Sequence, residues 1–171
     1  MAEIIKTYRQ NVPAMRFIGK IYTNADRADG DFGAKWSEWS DNCWFELIDK
    51  QICGSLKDVY EDGDCCIGLM FAEGEGDYDA IFRYCIGKFT PAETPVPQGF
   101  EHIDFPAGEL GVCWLKGSED EIFCKEGMCC DKLAATYEID DNLCFERYND
   151  DRIHKPDEEG NVIIDICFYL K

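Results

Sequence analysis

The sequence predicts an α+β domain built from a duplicated strand–helix–strand–strand unit. Its antiparallel sheet should carry an approximate twofold axis and two main helices on one face. Three observations predict this. Short stretches rich in β-branched and aromatic residues recur between Gly- and Pro-rich turns. Two longer stretches carry apolar residues at helical spacing. The order strands, helix, strand, strand occurs twice along 171 residues. With 46% apolar residues, including 4 Trp, 8 Tyr and 11 Phe, the chain can bury a substantial core.

In chain order, Ile4–Thr23 reads as strand with a break at Pro13, and "YTNADRADGDFGA" as a polar loop. Over Lys35–Gln51, Trp36, Trp39, Cys43 and Leu47 recur at helical spacing with Trp44 and Ile48 alongside, and Gly54 follows the helix end. "DCCIGLMFAEG" and "YDAIFRYCIGKF" read as strands joined by the acidic turn "EGEGD", and the three prolines of "TPAETPVPQG" mark a linker.

The pattern then restarts. "FEHIDFPAGELGVCWLKG" reads as strand, turn, strand. Ser118 and Glu121 form the signature of a capping box opening a helix to about Tyr137, with Gly127 inside it. "LCFERYN" and "NVIIDICFYLK" close the chain as strands joined by the polar loop "DDRIHKPDEEG". The halves share no visible sequence identity, so the repeat is one of organisation. The whole of 1–171 is read as one domain, with a first repeat over about 1–90, a linker over 91–99 and a second repeat over about 100–171.

The formal charge of −18, from 17 Lys+Arg against 35 Asp+Glu, leaves no basic footprint for direct nucleic-acid binding. No apolar run approaches a membrane span, and the Met1-Ala2-Glu3 start lacks a signal pattern, so a cytoplasmic location is expected. Eleven cysteines, an odd number without a signal peptide, argue for free thiols over a disulfide framework. The tight group Cys124, Cys129 and Cys130 lacks a local fourth ligand, since neither His102 nor His154 is near in sequence. No metal and no cofactor is expected. No Gly-x-Ser-x-Gly, His-Glu-x-x-His or phosphate-binding glycine loop is present, and neither histidine sits in a motif that pairs it with a thiol.

One hexapeptide, "LCFERY" (143–148), poses a chemical question. On a strand, Cys144, Glu146 and Tyr148 share a face, and Phe145 and Arg147 take the other. If the first face is buried, Glu146 needs a counter-charge, because taking a carboxylate out of water costs several kcal/mol; otherwise it is a partly exposed edge-strand glutamate.

"FRYCIGKFTPAETPVPQGFEHIDFPAGELGVCWLKG", then a helix, "CFERYNDD" and the terminal "VIIDICFYLK", resembles the GyrI-like small-molecule-binding family. These are the effector-binding domains also fused to AraC- and MerR-type transcription regulators; this chain resembles a stand-alone member. The resemblance implies two strand–helix–strand–strand repeats with a ligand groove between them. It further implies that Glu146 lies at the base of that groove and meets cationic, aromatic ligands. Where the family often carries a tyrosine on the last strand, this chain has Cys167, a substitution expected to remove one aromatic wall.

Candidate ligand-binding residues are Glu146, Tyr148, Tyr84, Trp39, Trp44 and Trp114. Aromatic rings can hold a cation through their quadrupoles. Each ring also has a core reading: the helical tryptophans and Trp114 could pack beneath neighbouring elements, and Tyr84 shares its face with Phe82 and Ile86. The expected partner is a small molecule, cationic or aromatic, with a protein partner open and no direct nucleic-acid or membrane partner. The resemblance implies three alternative functions: a sequestering or sensing protein, a small hydrolase of cyclopropane-type electrophiles in which Glu146 activates water, or a protein-interaction module like the gyrase-inhibitory relatives.

Overall fold

A computed structural model describes residues 1–58 and 60–171. β1 (Glu3–Val12) and β2 (Met15–Tyr22) flank Pro13, whose missing N–H interrupts a strand. α1 (Gly33–Asp41), α2 (Trp44–Asp49), β3 (Cys66–Ala72), the single-turn α3 (Tyr78–Ile81) and β4 (Phe82–Pro91) complete the first half. The second half runs β5 (Glu101–Phe105), β6 (Gly108–Gly117), α4 (Glu119–Ile122), α5 (Glu126–Ala134), β7 (Ile139–Tyr148), α6 (Asp150–Ile153) and β8 (Val162–Leu170).

All eight strands form one sheet in the order β1-β6-β8-β7-β3-β4-β2-β5, and every pairing is antiparallel. The order is symmetric about the β7–β3 seam: β8 matches β4, β6 matches β2, and β1 matches β5. Each half lends its first strand to the other. β1 pairs with β6, from Glu3 against Lys116 to Val12 against Gly108, and β5 pairs with β2. The repeat boundary at about residue 90 therefore divides the chain but not the sheet.

Both predicted helices occur, and both are broken. α1 ends where the Asn42 side chain donates to the Glu38 carbonyl (2.7 Å) and Cys43 turns left-handed at φ 52°. A left-handed non-glycine residue costs about 1–2 kcal/mol. The turn lets both Trp39 and Ile48 reach the core, each with no exposed surface. The second helix is interrupted at residues 123–125, between α4 and α5. Ser118 occupies the N-cap position without making a side-chain cap bond. The expected capping box is absent, and a Glu121 carboxylate oxygen lies 3.0 Å from the Met1 nitrogen.

The helices cover one face of the sheet. Trp39 and Ile48 pack over Ile18, Tyr22 and Ile86, while Cys129 and Leu133 pack over Cys113, Leu115 and Ile166. The opposite face buries Phe17, Leu69, Phe89, Val112 and Phe145, with Leu56 and Tyr60 packed on them. It also holds a buried ionic lattice. Arg147, 1% exposed, donates to Asp165 through Nε (2.9 Å) and Nη2 (2.7 Å) and to Gln10 through Nη1 (2.7 Å). Arg152 bridges Asp165 (2.8 Å) and Asp62 (2.9 Å). All eleven cysteines are free. Among the described residues, no helix is long and apolar enough to cross a membrane, and no group of His, Cys, Asp and Glu is arranged to hold a metal ion.

Candidate functional site

Strand alternation places Glu146 and Tyr148 of β7 on the helix-covered face, at the seam where Glu146 pairs with Gly68 of β3. Tyr84 of β4 shares that face. Above the seam, α1 and the start of α5 stand apart, and a cavity of about 460 Å³ opens between them. Met70, Tyr84, Glu146 and Tyr148 form its floor. Phe32, Trp36 and Phe82 wall one side, Phe123 and Glu126 the other, and Arg27 and Asp31 also line it. This is the size of a small-molecule pocket, with few polar groups set among aromatic rings.

Glu146 is 4% exposed. Its Oε2 accepts hydrogen bonds from the Tyr84 hydroxyl (2.9 Å) and the Tyr148 hydroxyl (2.7 Å), and the Trp36 indole N–H donates to the Tyr84 oxygen (3.0 Å). Burial, then the negative charge of Glu146, pushes both tyrosine hydroxyls well above the ordinary tyrosine value. Both therefore remain neutral donors. Among the described residues, no Lys or Arg forms an ion pair with Glu146.

Gly68 makes this geometry possible. A Cβ there would sit 2.5 Å from Glu146 Oε2 and 2.6 Å from the Tyr84 hydroxyl. Across the cavity, Glu126 lines the same space as Glu146. Burial, then the charge on Glu146, pushes Glu126 up to about 8, against a smaller opposing pull from Arg27. The Arg27 guanidinium lies 4.6 Å from the Phe32 ring centre and 5.5 Å from that of Phe82. Phe32 in turn stacks on Tyr84 at 4.3 Å, nearly parallel.

Of the six candidates, Glu146, Tyr148 and Tyr84 meet in the cavity and three lie outside it. Trp39 is fully buried, and its indole N–H donates to the Tyr22 hydroxyl (2.9 Å). Trp44 lies beyond the α1–α2 break, against Trp39 and Phe100 and under the Lys20 ammonium. Trp114 pairs with Asp165 and so faces the opposite side, between the Lys6 ammonium (4.3 Å) and the Arg152 guanidinium (4.4 Å). Cys167 pairs with Phe145 and also points away, so it removes no wall from the cavity.

Phe32, Trp36, Phe123 and Glu126 were not among the sequence candidates. Phe82 had a signal, two residues before Tyr84 on one strand face. Trp36 shared the helical pattern with Trp39, but that pattern does not separate the cavity edge of a helix from its core face.

No protein-family model and no curated protein matches the sequence. Solved structures match the fold. A candidate bacterial transcription regulation protein from Staphylococcus aureus is 15% identical, the match covering 98% of this chain and 99% of that one, with a TM-score of 0.63. SAV2435 bound to tetraphenylphosphonium is 14% identical over 98% of this chain and 94% of its own, with a TM-score of 0.66. The EcmrR C-terminal domain is 11% identical over 97% of each chain, with a TM-score of 0.61. At such identities the likeness concerns the fold, and it is the fold that the GyrI-like resemblance implied.

Proposed function

We propose that this chain binds small molecules in the seam cavity, with a preference for lipophilic aromatic cations, and acts as a sequestering or sensing protein. One observation carries the reading: Glu146 is a buried carboxylate whose hydrogen-bond donors are two neutral tyrosine hydroxyls, at the floor of an aromatic cavity. An organic cation supplies the missing counter-charge without the dehydration cost of a small metal ion. The wall already accepts a cation, since Phe32 and Phe82 hold the Arg27 guanidinium against their rings. The neighbour bound to tetraphenylphosphonium shares the fold, which supports the ligand class by analogy.

The test compares methyltriphenylphosphonium with neutral triphenylphosphine oxide, by calorimetry, on the wild type and Glu146→Gln. The variant keeps shape and removes charge. It should lose about 1–3 kcal/mol for the cation, roughly 5- to 150-fold, and change little for the oxide. Equal weakening of both ligands defeats the charge argument.

A second reading is hydrolysis of strained, cyclopropane-type electrophiles. It is favoured by Glu126, which keeps its proton at neutral pH beside the Glu146 carboxylate and so offers a general acid next to a general base. Turnover lost in Glu146→Gln while substrate binding persists would support it; a wild type that binds such compounds without consuming them would remove it.

A further inference from the structure

Glu126 is a second carboxyl in a cavity whose charge logic needs only one. It comes from α5 and meets Glu146, from β7, across the pocket. Two carboxyl groups lining one aromatic cavity cannot both be ionised cheaply while it is empty.

Every other neighbour leaves that conflict in place. Tyr84 and Tyr148 have hydroxyls raised by burial and are neutral. The Cys144 thiol is pushed up to about 12 and is also neutral. Cys129, one turn along α5, is raised as well. Asp31 adds negative charge to the lining. Among the described residues Arg27 is the one lining cation, and its guanidinium is engaged by the Asn24 side chain (2.8 Å) and the Gly30 carbonyl (2.7 Å).

We propose that Glu126 is a specificity-determining residue that makes the cavity an exchanger: the Glu126–Glu146 pair holds one proton when empty and releases it to solvent when an organic cation enters. The charges balance. The empty pair carries one proton and one negative charge. On binding it carries no proton and two negative charges beside one positive ligand, and one proton leaves. This rests on reading the cavity as a cation site and adds the coupling to it.

The exchange has consequences for selection. A neutral aromatic compound cannot displace the proton, so it meets a carboxyl pair with one negative charge. A cation meets two once the proton has gone. The discrimination therefore grows as pH rises toward the point at which the empty pair gives up its proton unaided, which burial and mutual repulsion set near 8.

Calorimetry with methyltriphenylphosphonium, whose charge does not titrate, tests this from pH 6 to 9 in pairs of buffers with different ionisation enthalpies. The expected result is an affinity that rises with pH, by up to tenfold per unit, and levels off above about 8, with up to one proton released per cation bound below that point. Glu126→Gln should bind with an affinity independent of pH and release no proton; Glu126→Ala, measured alongside, should do the same and guards against one variant misfolding. Cation binding that depends on Glu146 but shows no pH dependence and no proton release overturns the exchange and leaves the binding function standing. No cation binding at any pH overturns both.

Discussion

Glu146 and Arg147 are adjacent on β7 and face opposite sides of the sheet, and each is almost wholly buried. Arg147 is neutralised within the fold, by Asp165 at 2.7 and 2.9 Å and a lattice that continues through Arg152 to Asp62. Among the described residues, Glu146 has tyrosine hydroxyls and a proton-bearing neighbour in place of a counter-ion. One strand thus carries a charge paired within the fold on one face and, on the other, a carboxylate with no ion-pair partner among the described residues.

The two residues should respond oppositely to neutralisation. Arg147→Met removes one partner of a buried pair, a change that costs about 3–5 kcal/mol in general. Arg152 still holds Asp165, so the low end of that range is expected. Glu146→Gln should leave stability unchanged or raise it. Urea midpoints of the two variants check the contrast.

Gly68→Ala should disturb the site without abolishing the fold. The added methyl lies within contact of Glu146 Oε2 and the Tyr84 hydroxyl and must push one of them aside. Overpacking of this kind costs about 1–3 kcal/mol. Cation affinity should fall at least as far as in Glu146→Gln, and a Tm measured in parallel separates the two effects.

Trp36 and Trp39 separate function from stability on one helix. Trp39→Ala should cost about 3–5 kcal/mol, because the indole is fully buried. Trp36→Phe removes the indole N–H that bonds Tyr84, while keeping an aromatic wall. It should weaken cation binding several-fold and move the denaturation midpoint little.

Stability should also depend on pH through Glu126. Its carboxyl sits at about 8 in the folded protein, against an ordinary value near 4.5. The folded state therefore binds the proton more tightly than the unfolded chain. The contribution is fully present below about 4.5, declines as pH rises, and is gone above about 8. Subtracting the Glu126→Gln midpoint from the wild-type midpoint at each pH isolates it. A difference that rises with pH contradicts this.

Thiol titration gives an independent check of the packing. In the native state a thiol reagent should react quickly with Cys43, Cys53 and Cys124, the exposed cysteines. After denaturation without reductant, all eleven should react.

The sheet and its central residues were legible because a strand has a period of two. Once Glu146 is assigned a face, Tyr148 follows, and Tyr84 joins them through its own strand. Trp114 and Cys167 could not be phased this way. Their faces depend on the pairing of Trp114 with Asp165 and of Cys167 with Phe145, which is a property of the assembled sheet. The helices hid more. A continuous helix over Lys35–Gln51 carries Trp36, Trp39 and Trp44 as one pattern. The turn at Asn42–Cys43 instead leaves Trp36 at the cavity, Trp39 in the core and Trp44 beyond both. Glu126 carried no signal, since it reaches the cavity only because α5 restarts after the break at residues 123–125.

The reciprocal placement of β1 and β5 makes the molecule indivisible. A fragment severed between β4 and β5 would carry β1 with no β6 to receive it, and the outer edge of β2 would lie bare. Its counterpart would expose the outer edge of β6 in the same way. Open edges of that kind invite intermolecular strand addition. The loss of either half strips a strand from its opposite. The cavity at the seam is therefore framed by a sheet whose two halves depend on each other.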